Sequence, residues 1–205
     1  MGRLVCAEVE AAPDLTLAWA GGRSLPDSLD ADVIVDFSTP DGLRALLARA
    51  PCPVVSGTTG VTVDAPPGLA LLHAPNFSLG VAVLADLVRR AHAALPGWEV
   101  EIVELHHSAK RDAPSGTALR LAEGLGPVVD HHPGLREPGT VGVHAVRGGD
   151  VVGDHIVMFA GDGERVELVH KASSRDTFAR GALRAAEWIM GKPAGLYTMS
   201  QVPGL

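Results

Sequence analysis

The chain has 205 residues, 46% of them hydrophobic and only 4% aromatic. Its 17 Lys and Arg against 24 Asp and Glu leave a formal net charge of −7. These values exclude whole-chain disorder, a sandwich built on aromatic strands, and the clustered cation surplus that a nucleic-acid footprint needs. The first residues reach Glu8 before any signal-peptide-like apolar run matures, and no stretch approaches the roughly 20 apolar residues of a bilayer span. No membrane partner is expected. Cys6 and Cys52 are the only cysteines, which fits reduced thiols in a cytoplasmic protein rather than a disulfide framework.

In chain order, residues 15–20 read as a strand stopped by Gly21-Gly22, and 33–37 as a nearly continuous apolar strand covered on both faces. Residues 41–50 have helical spacing, with Leu43, Leu46 and Leu47 on one stripe and Pro51 beyond the end. Residues 54–56 form the next expected strand, running into Gly57-Thr58-Thr59-Gly60. Residues 69–73 form another, ending at Ala74-Pro75-Asn76-Phe77. Alternation of strand and helix implies βαβ units and a parallel sheet, whose ligands sit beyond the carboxyl ends of the strands. The turns at 57–60 and 74–80 lie at such ends. Taken alone, each is an ordinary turn, and Asn76 could simply cap the helix that follows.

Residues 80–95 are helical in pattern, with Val81, Leu84, Leu87 and Val88 on one face. Residues 99–105 alternate with period two, the mark of a strand with one exposed face. Further strands are expected at 141–146, 150–160 and 164–170, linked by Gly148-Gly149 and Gly161-Asp162-Gly163. Neighbouring strands without helices between them predict a mixed or antiparallel sheet. A helix over 177–190, stopped by Gly191 and Pro193, closes the pattern. The fold class is therefore α/β, with a change of domain near residue 78.

The densest polar segment follows the 99–105 strand: His106-His107-Ser108-Ala109-Lys110-Arg111-Asp112-Ala113-Pro114-Ser115-Gly116-Thr117. A solvated loop is the bland alternative. Against it, Pro114 and Ser115 suit a helix start before the apolar pattern of Ala118, Leu119, Leu121 and Ala122. Free N–H groups at Gly116 and Thr117 would then face an anion beside the cations, and imidazole transfers protons near neutral pH. The residues themselves thus point to a carboxylate-bearing substrate with acid–base chemistry nearby. His131-His132 lies in a Pro/Gly-rich stretch and reads as surface loop.

Several segments in order resemble the 4-hydroxy-tetrahydrodipicolinate (dihydrodipicolinate) reductase family. They are Asp36-Phe37-Ser38, Gly57-Thr58-Thr59-Gly60, Asn76-Phe77-Ser78-Leu79-Gly80, Glu104-Leu105-His106-His107 with Lys110, Asp112-Ala113-Pro114-Ser115-Gly116-Thr117-Ala118, and His170-Lys171-Ala172-Ser173-Ser174-Arg175. The resemblance implies hydride transfer from NADPH or NADH to a cyclic imine dicarboxylate with loss of water, in the diaminopimelate route to lysine, without a metal. It implies a Rossmann-like domain at 1–77 and 176–205, and an α+β domain at 78–175 for substrate binding and assembly into a homotetramer. It assigns proton donor and acceptor to His106, proton donor to Lys110, and substrate contacts to His107, Gly116, Thr117 and Arg175. Gly57, Thr58, Thr59, Ala74, Pro75, Asn76 and Phe77 would line the nicotinamide side of the cofactor.

Family members begin with a strand and a glycine-rich turn, of which Met1-Gly2-Arg3 matches only the tail. Gly2 and Arg3 are therefore expected cofactor contacts, and the family's first strand is expected upstream of Met1. The end of the second family strand, Trp19-Ala20-Gly21-Gly22-Arg23, has no carboxylate for ribose hydroxyls. Arg23 would instead suit a 2′-phosphate and favour NADPH. Two rivals stand beside this reading: a metal-dependent hydrolase built on the two histidine pairs, and a non-catalytic dinucleotide- or dicarboxylate-binding relic.

Overall fold

A computed structural model describes residues 1–21, 26, 28, 30–130 and 134–202. In chain order it contains α1 (Gly2–Ala11), β1 (Ile34–Asp36), α2 (Pro40–Leu47), β2 (Val54–Ser56), β3 (Ala70–His73) and α3 (Leu79–Ala94). There follow β4 (Glu99–His106), α4 (Gly116–Ala122), β5 (Val128–Val129), β6 (Val141–Arg147), β7 (Gly153–Gly161) and β8 (Glu164–Ala172). The last elements are α5 (Asp176–Ile189), β9 (Gly195–Tyr197) and a 3-10 turn at Met199–Gln201. Two compact units result: Met1–Leu79 with Arg175–Leu205, and Gly80–Ser174. Among the described residues no helix is long and apolar enough to cross a membrane.

The first unit is a parallel sheet in the order β1-β2-β3-β9. Its central strands β2 and β3 are covered on both sides, which is why they read as unbroken apolar runs. Val54 and Leu71 pack under Leu43, Leu46 and Leu47 of α2. Val55 and Leu72 pack on the other side against Ala182, Ala185, Ala186 and Ile189 of α5. The α2 helix starts at Pro40 because Thr39 caps it, its hydroxyl accepting from the Gly42 N–H at 3.2 Å.

The expected strand at 15–20 does not form. Leu15 is half-buried against the Val5–Val9 face of α1, while residues 16–20 are exposed and join no ladder. An apolar run becomes a strand only where a neighbouring edge satisfies its N–H and C=O groups, and none of the described residues offers one here.

The second unit is the mixed sheet that its neighbouring strands imply, in the order β5-β6-β4-β7-β8. The β4 strand lies parallel to β6 and antiparallel to β7. One face carries Val100, Ile102, Val143, Val157 and Phe159, which pack with Leu84 and Val88 of α3 and with Ala118 and Leu121 of α4. On the opposite face Val103, Ile156 and Val169 stand in cross-strand register, with Val169 49% exposed.

The small inner stripe of α5 lets it approach the loop after β3 closely. A Cβ at Gly181 would lie 1.8 Å from the Phe77 carbonyl oxygen, a backbone atom that cannot swing away. Helix propensity alone would favour Gly181→Ala by about 1 kcal/mol. The steric conflict opposes and exceeds that gain, so the variant should lose on the order of 1–3 kcal/mol in urea unfolding. An unchanged or raised midpoint would mean that the loop yields freely.

Candidate active site

The inward face of β4 runs Val100, Ile102, Glu104, His106, and all four are buried. The first two belong to the apolar core, whereas the next two place a carboxylate and an imidazole in the same register. Glu104 is fully buried, which is costly for a charge unless every lone pair finds a partner. Arg147 on β6 meets it with two parallel bonds, Nη1 to Oε2 at 3.0 Å and Nη2 to Oε1 at 2.8 Å. The backbone N–H of Ser115 donates to Oε1 at 3.1 Å, and His106 Nδ1 contacts Oε2 closely. Burial pushes the Glu104 carboxyl up, but the bonds from Arg147, His106 and Ser115 outweigh it and hold the group below its usual range.

An ionised carboxylate only accepts, so Nδ1 of His106 carries the proton in this pair and Nε2 is the unprotonated nitrogen of the neutral ring. Burial lowers the His106 pKa, Glu104 resists, and the Lys110 and Arg147 cations add to the lowering. The net direction is downward, toward a neutral ring.

The same carboxylate fixes the start of α4. Ser115 is its N-cap, the hydroxyl accepting from Ala118 N–H at 3.1 Å, so Gly116 and Thr117 form the first positions of the helix. Arg147 also donates to the Asp112 carbonyl at 2.7 Å, and Gly148 N–H donates to the His106 carbonyl at 2.9 Å. The 106–117 segment is therefore clamped to β4 and β6 rather than solvated as a free loop. Within it Lys110 Nζ donates to both oxygens of Asp112, at 2.7 and 2.8 Å. His107 is half-buried, and its carbonyl accepts from the Lys110 N–H.

Three contributors to this site are absent from the residues singled out by sequence. Glu104 was quotable only as part of a motif, although a glutamate continuing the Val100–Ile102 register was a visible sign. His155, on β7 directly across from Glu104, is likewise buried in an apolar register. Arg147 has no local signature, because it reaches Glu104 across 43 positions of sequence.

In the first unit the carboxyl ends of β1, β2 and β3 are laced together. Asp36 is buried and accepts from the Ser56 hydroxyl at 2.8 Å, the Thr58 hydroxyl at 2.7 Å and the Ser38 N–H at 3.1 Å. His73 Nε2–H donates to the Thr58 carbonyl at 2.8 Å, and Ala74 N–H to the Ser56 carbonyl at 3.0 Å. The turn after β2 is thus tied to the end of β3 at His73 and Ala74. Asn76 accepts from the Ser78 N–H at 2.7 Å just before α3.

Arg175 belongs to the first unit, at the N-cap of α5, and is exposed. Gly2 and Arg3 are exposed in the first turn of α1. Arg23 and His131-His132 fall outside the described residues. Among the described residues no group of three His, Cys, Asp or Glu is arranged to hold a metal ion.

A parallel-sheet unit with a laced strand-end rim, joined in sequence to a mixed-sheet unit carrying a Glu-His-Arg-Lys cluster, defines a two-domain α/β enzyme with acid–base groups. The family model described as "Dihydrodipicolinate reductase, N-terminus" matches residues 22–77, and "Dihydrodipicolinate reductase, C-terminus" matches 80–202. The chain is 43% identical to a 4-hydroxy-tetrahydrodipicolinate reductase of Akkermansia muciniphila, over 100% of this chain and 94% of the relative. It is 48% identical to one of Anaplasma marginale, over 88% of this chain and 79% of the relative. A solved dipicolinate-bound dihydrodipicolinate reductase of Paenisporosarcina superposes with a TM-score of 0.61 at 25% identity, covering 82% of this chain and 71% of that one. The chain belongs to the dihydrodipicolinate reductase family, and it is an oxidoreductase.

The buried histidines carry a consequence for acid stability. Burial foremost, then the neighbouring His106, pushes the His155 pKa from 6.5 down to about 4. The unfolded chain therefore binds protons between those values that the folded chain refuses, and folding stability falls as pH drops through that window. Imidazole NMR should find His155 still neutral at pH 5, and urea midpoints should decline from pH 6.5 toward 4. A His155 titration near 6.5 would contradict the burial described.

Proposed function

We propose that the chain reduces 4-hydroxy-tetrahydrodipicolinate to tetrahydrodipicolinate with NAD(P)H, with His106 and Lys110 handling protons in the second unit. The observation that carries this is the Glu104–His106 pair, which leaves Nε2 of a buried, near-neutral imidazole as the atom that exchanges a proton. NAD(P)H, when bound, supplies a hydride. The rim at 57–59 and 74–77 suits the nicotinamide end, because its backbone is held rigid by Asp36, Ser56 and His73 at the carboxyl ends of parallel strands.

The dianionic substrate needs positive charge and N–H donors within a chain of net charge −7. Lys110, His107 and the first N–H groups of α4 at Gly116 and Thr117 supply them, and Arg175 is assigned a further carboxylate contact. Asp112 receives both Lys110 bonds, and it is held below its usual carboxyl range although burial pushes it up. It thus holds the ammonium aimed until substrate competes for it. His106 then gives or takes a proton at Nε2 while Glu104, itself held by Arg147, holds its ring.

The finer assignments follow the same logic. Arg23 favours NADPH through a 2′-phosphate. The outward face with Val103, Ile156 and Val169 is the surface on which a homotetramer would assemble, and a cytoplasmic location fits a biosynthetic reductase with free Cys6 and Cys52.

Following the loss of NADPH absorbance with freshly generated substrate tests the assignment. His106→Ala and Lys110→Ala should each lower kcat by about 10²-fold or more, with dinucleotide affinity nearly unchanged. Wild-type rates in both would overturn the roles, and an inactive wild-type protein that still binds dipicolinate would favour the binding relic.

A further inference from the structure

We propose that β7 seats the proton-transfer ring of His106: His155 is a positioning residue linking it to the start of α4, and Gly153 leaves its Nε2 edge open. The inference rests on the reading of His106 given above.

His155 lies across from Glu104 in the β4–β7 ladder and is 2% exposed. Its ring stands edge-on to His106, with centroids 5.2 Å apart and planes at 78°. On its other side Nε2 lies 3.4 Å from the Ser115 hydroxyl. That hydroxyl already accepts from Ala118 N–H, so its own hydrogen is available to Nε2. Nδ1 of His155 is buried without a hydrogen-bond partner. Such a group carries a desolvation cost that a phenylalanine of similar size would avoid. What histidine adds at this position is the bond to Ser115. One ring therefore indexes both the imidazole that moves the proton and the helix start that presents Gly116 and Thr117.

Gly153 lies two residues earlier on the same buried face of β7. Its φ is not positive, so its backbone conformation is open to any residue. Space is the constraint instead: a Cβ there would lie 3.0 Å from Nε2 and 3.2 Å from Cδ2 of His106. Those contacts are tighter than side chains normally make, so any side chain would crowd the exchanging nitrogen or tilt the ring off Glu104.

Steady-state kinetics with the full chain separate these contributions, with His106→Ala as reference. His155→Phe keeps the ring and loses the Ser115 bond, so KM for the dicarboxylate should rise about 5–10-fold while kcat stays within about threefold. His155→Gln keeps a hydrogen-bonding group and loses the ring, so kcat should fall about tenfold with little change in KM. Gly153→Ala should lower kcat about tenfold or more with unchanged dinucleotide affinity. Loss of activity in His106→Ala, together with wild-type kinetics in Gly153→Ala or a matched change of kcat and KM in both His155 variants, overturns this inference alone. Wild-type turnover in His106→Ala overturns the reading of the site as well.

Discussion

A carboxylate buried in the register of a hydrophobic core is the constraint on which the second unit depends. Glu104 stays ionised only because Arg147, His106 and the Ser115 N–H occupy its oxygens together. Removing any one partner would leave a charge in a medium that solvates it poorly, at a typical cost of about 3–5 kcal/mol for a broken buried pair. The geometry of the site is thus enforced by the folding energetics of the sheet around it. Three segments, the end of β4, the end of β6 and the start of α4, are brought to one point by a single side chain.

The first unit repeats the principle with a shorter side chain. Asp36 ends β1 and gathers the Ser56 and Thr58 hydroxyls from the neighbouring strand and its turn. In both units a buried acid at a strand's carboxyl end converts an adjoining turn from flexible connection to fixed rim. Rigid strands supply the position and the acid transmits it to the loop, which lowers the ordering cost of binding there.

Much of this was legible in the sequence, for physical reasons that differ by element. The β2 and β3 runs were readable because both faces are covered, and α4 because Ser115 caps it in the manner its residue type predicts. The 106–117 segment stood out because its polar groups break otherwise apolar patterns, whereas the turn at 57–60, taken alone, read as an ordinary turn. Residues 15–20 were misread because composition favours a strand while pairing depends on an edge elsewhere. The short β9 strand was missed because its pairing with the edge of β3, rather than its own pattern, makes Gly195–Tyr197 extended. Arg147 and the contact of His155 with Ser115 arise from non-local register, which periodicity does not encode. Glu104 occupies the middle ground: its charge in an apolar register was visible, while its partners were not.

The most direct measurement replaces Glu104 by Gln, which preserves shape and removes the charge. Turnover, dinucleotide affinity and the imidazole NMR signature of His106 are then read on the same protein. The account predicts a loss of turnover on the order of 10²-fold, a His106 ring no longer locked with its proton on Nδ1, and an unchanged dinucleotide affinity. Turnover within about twofold of wild type, with the His106 tautomer unaltered, would contradict it.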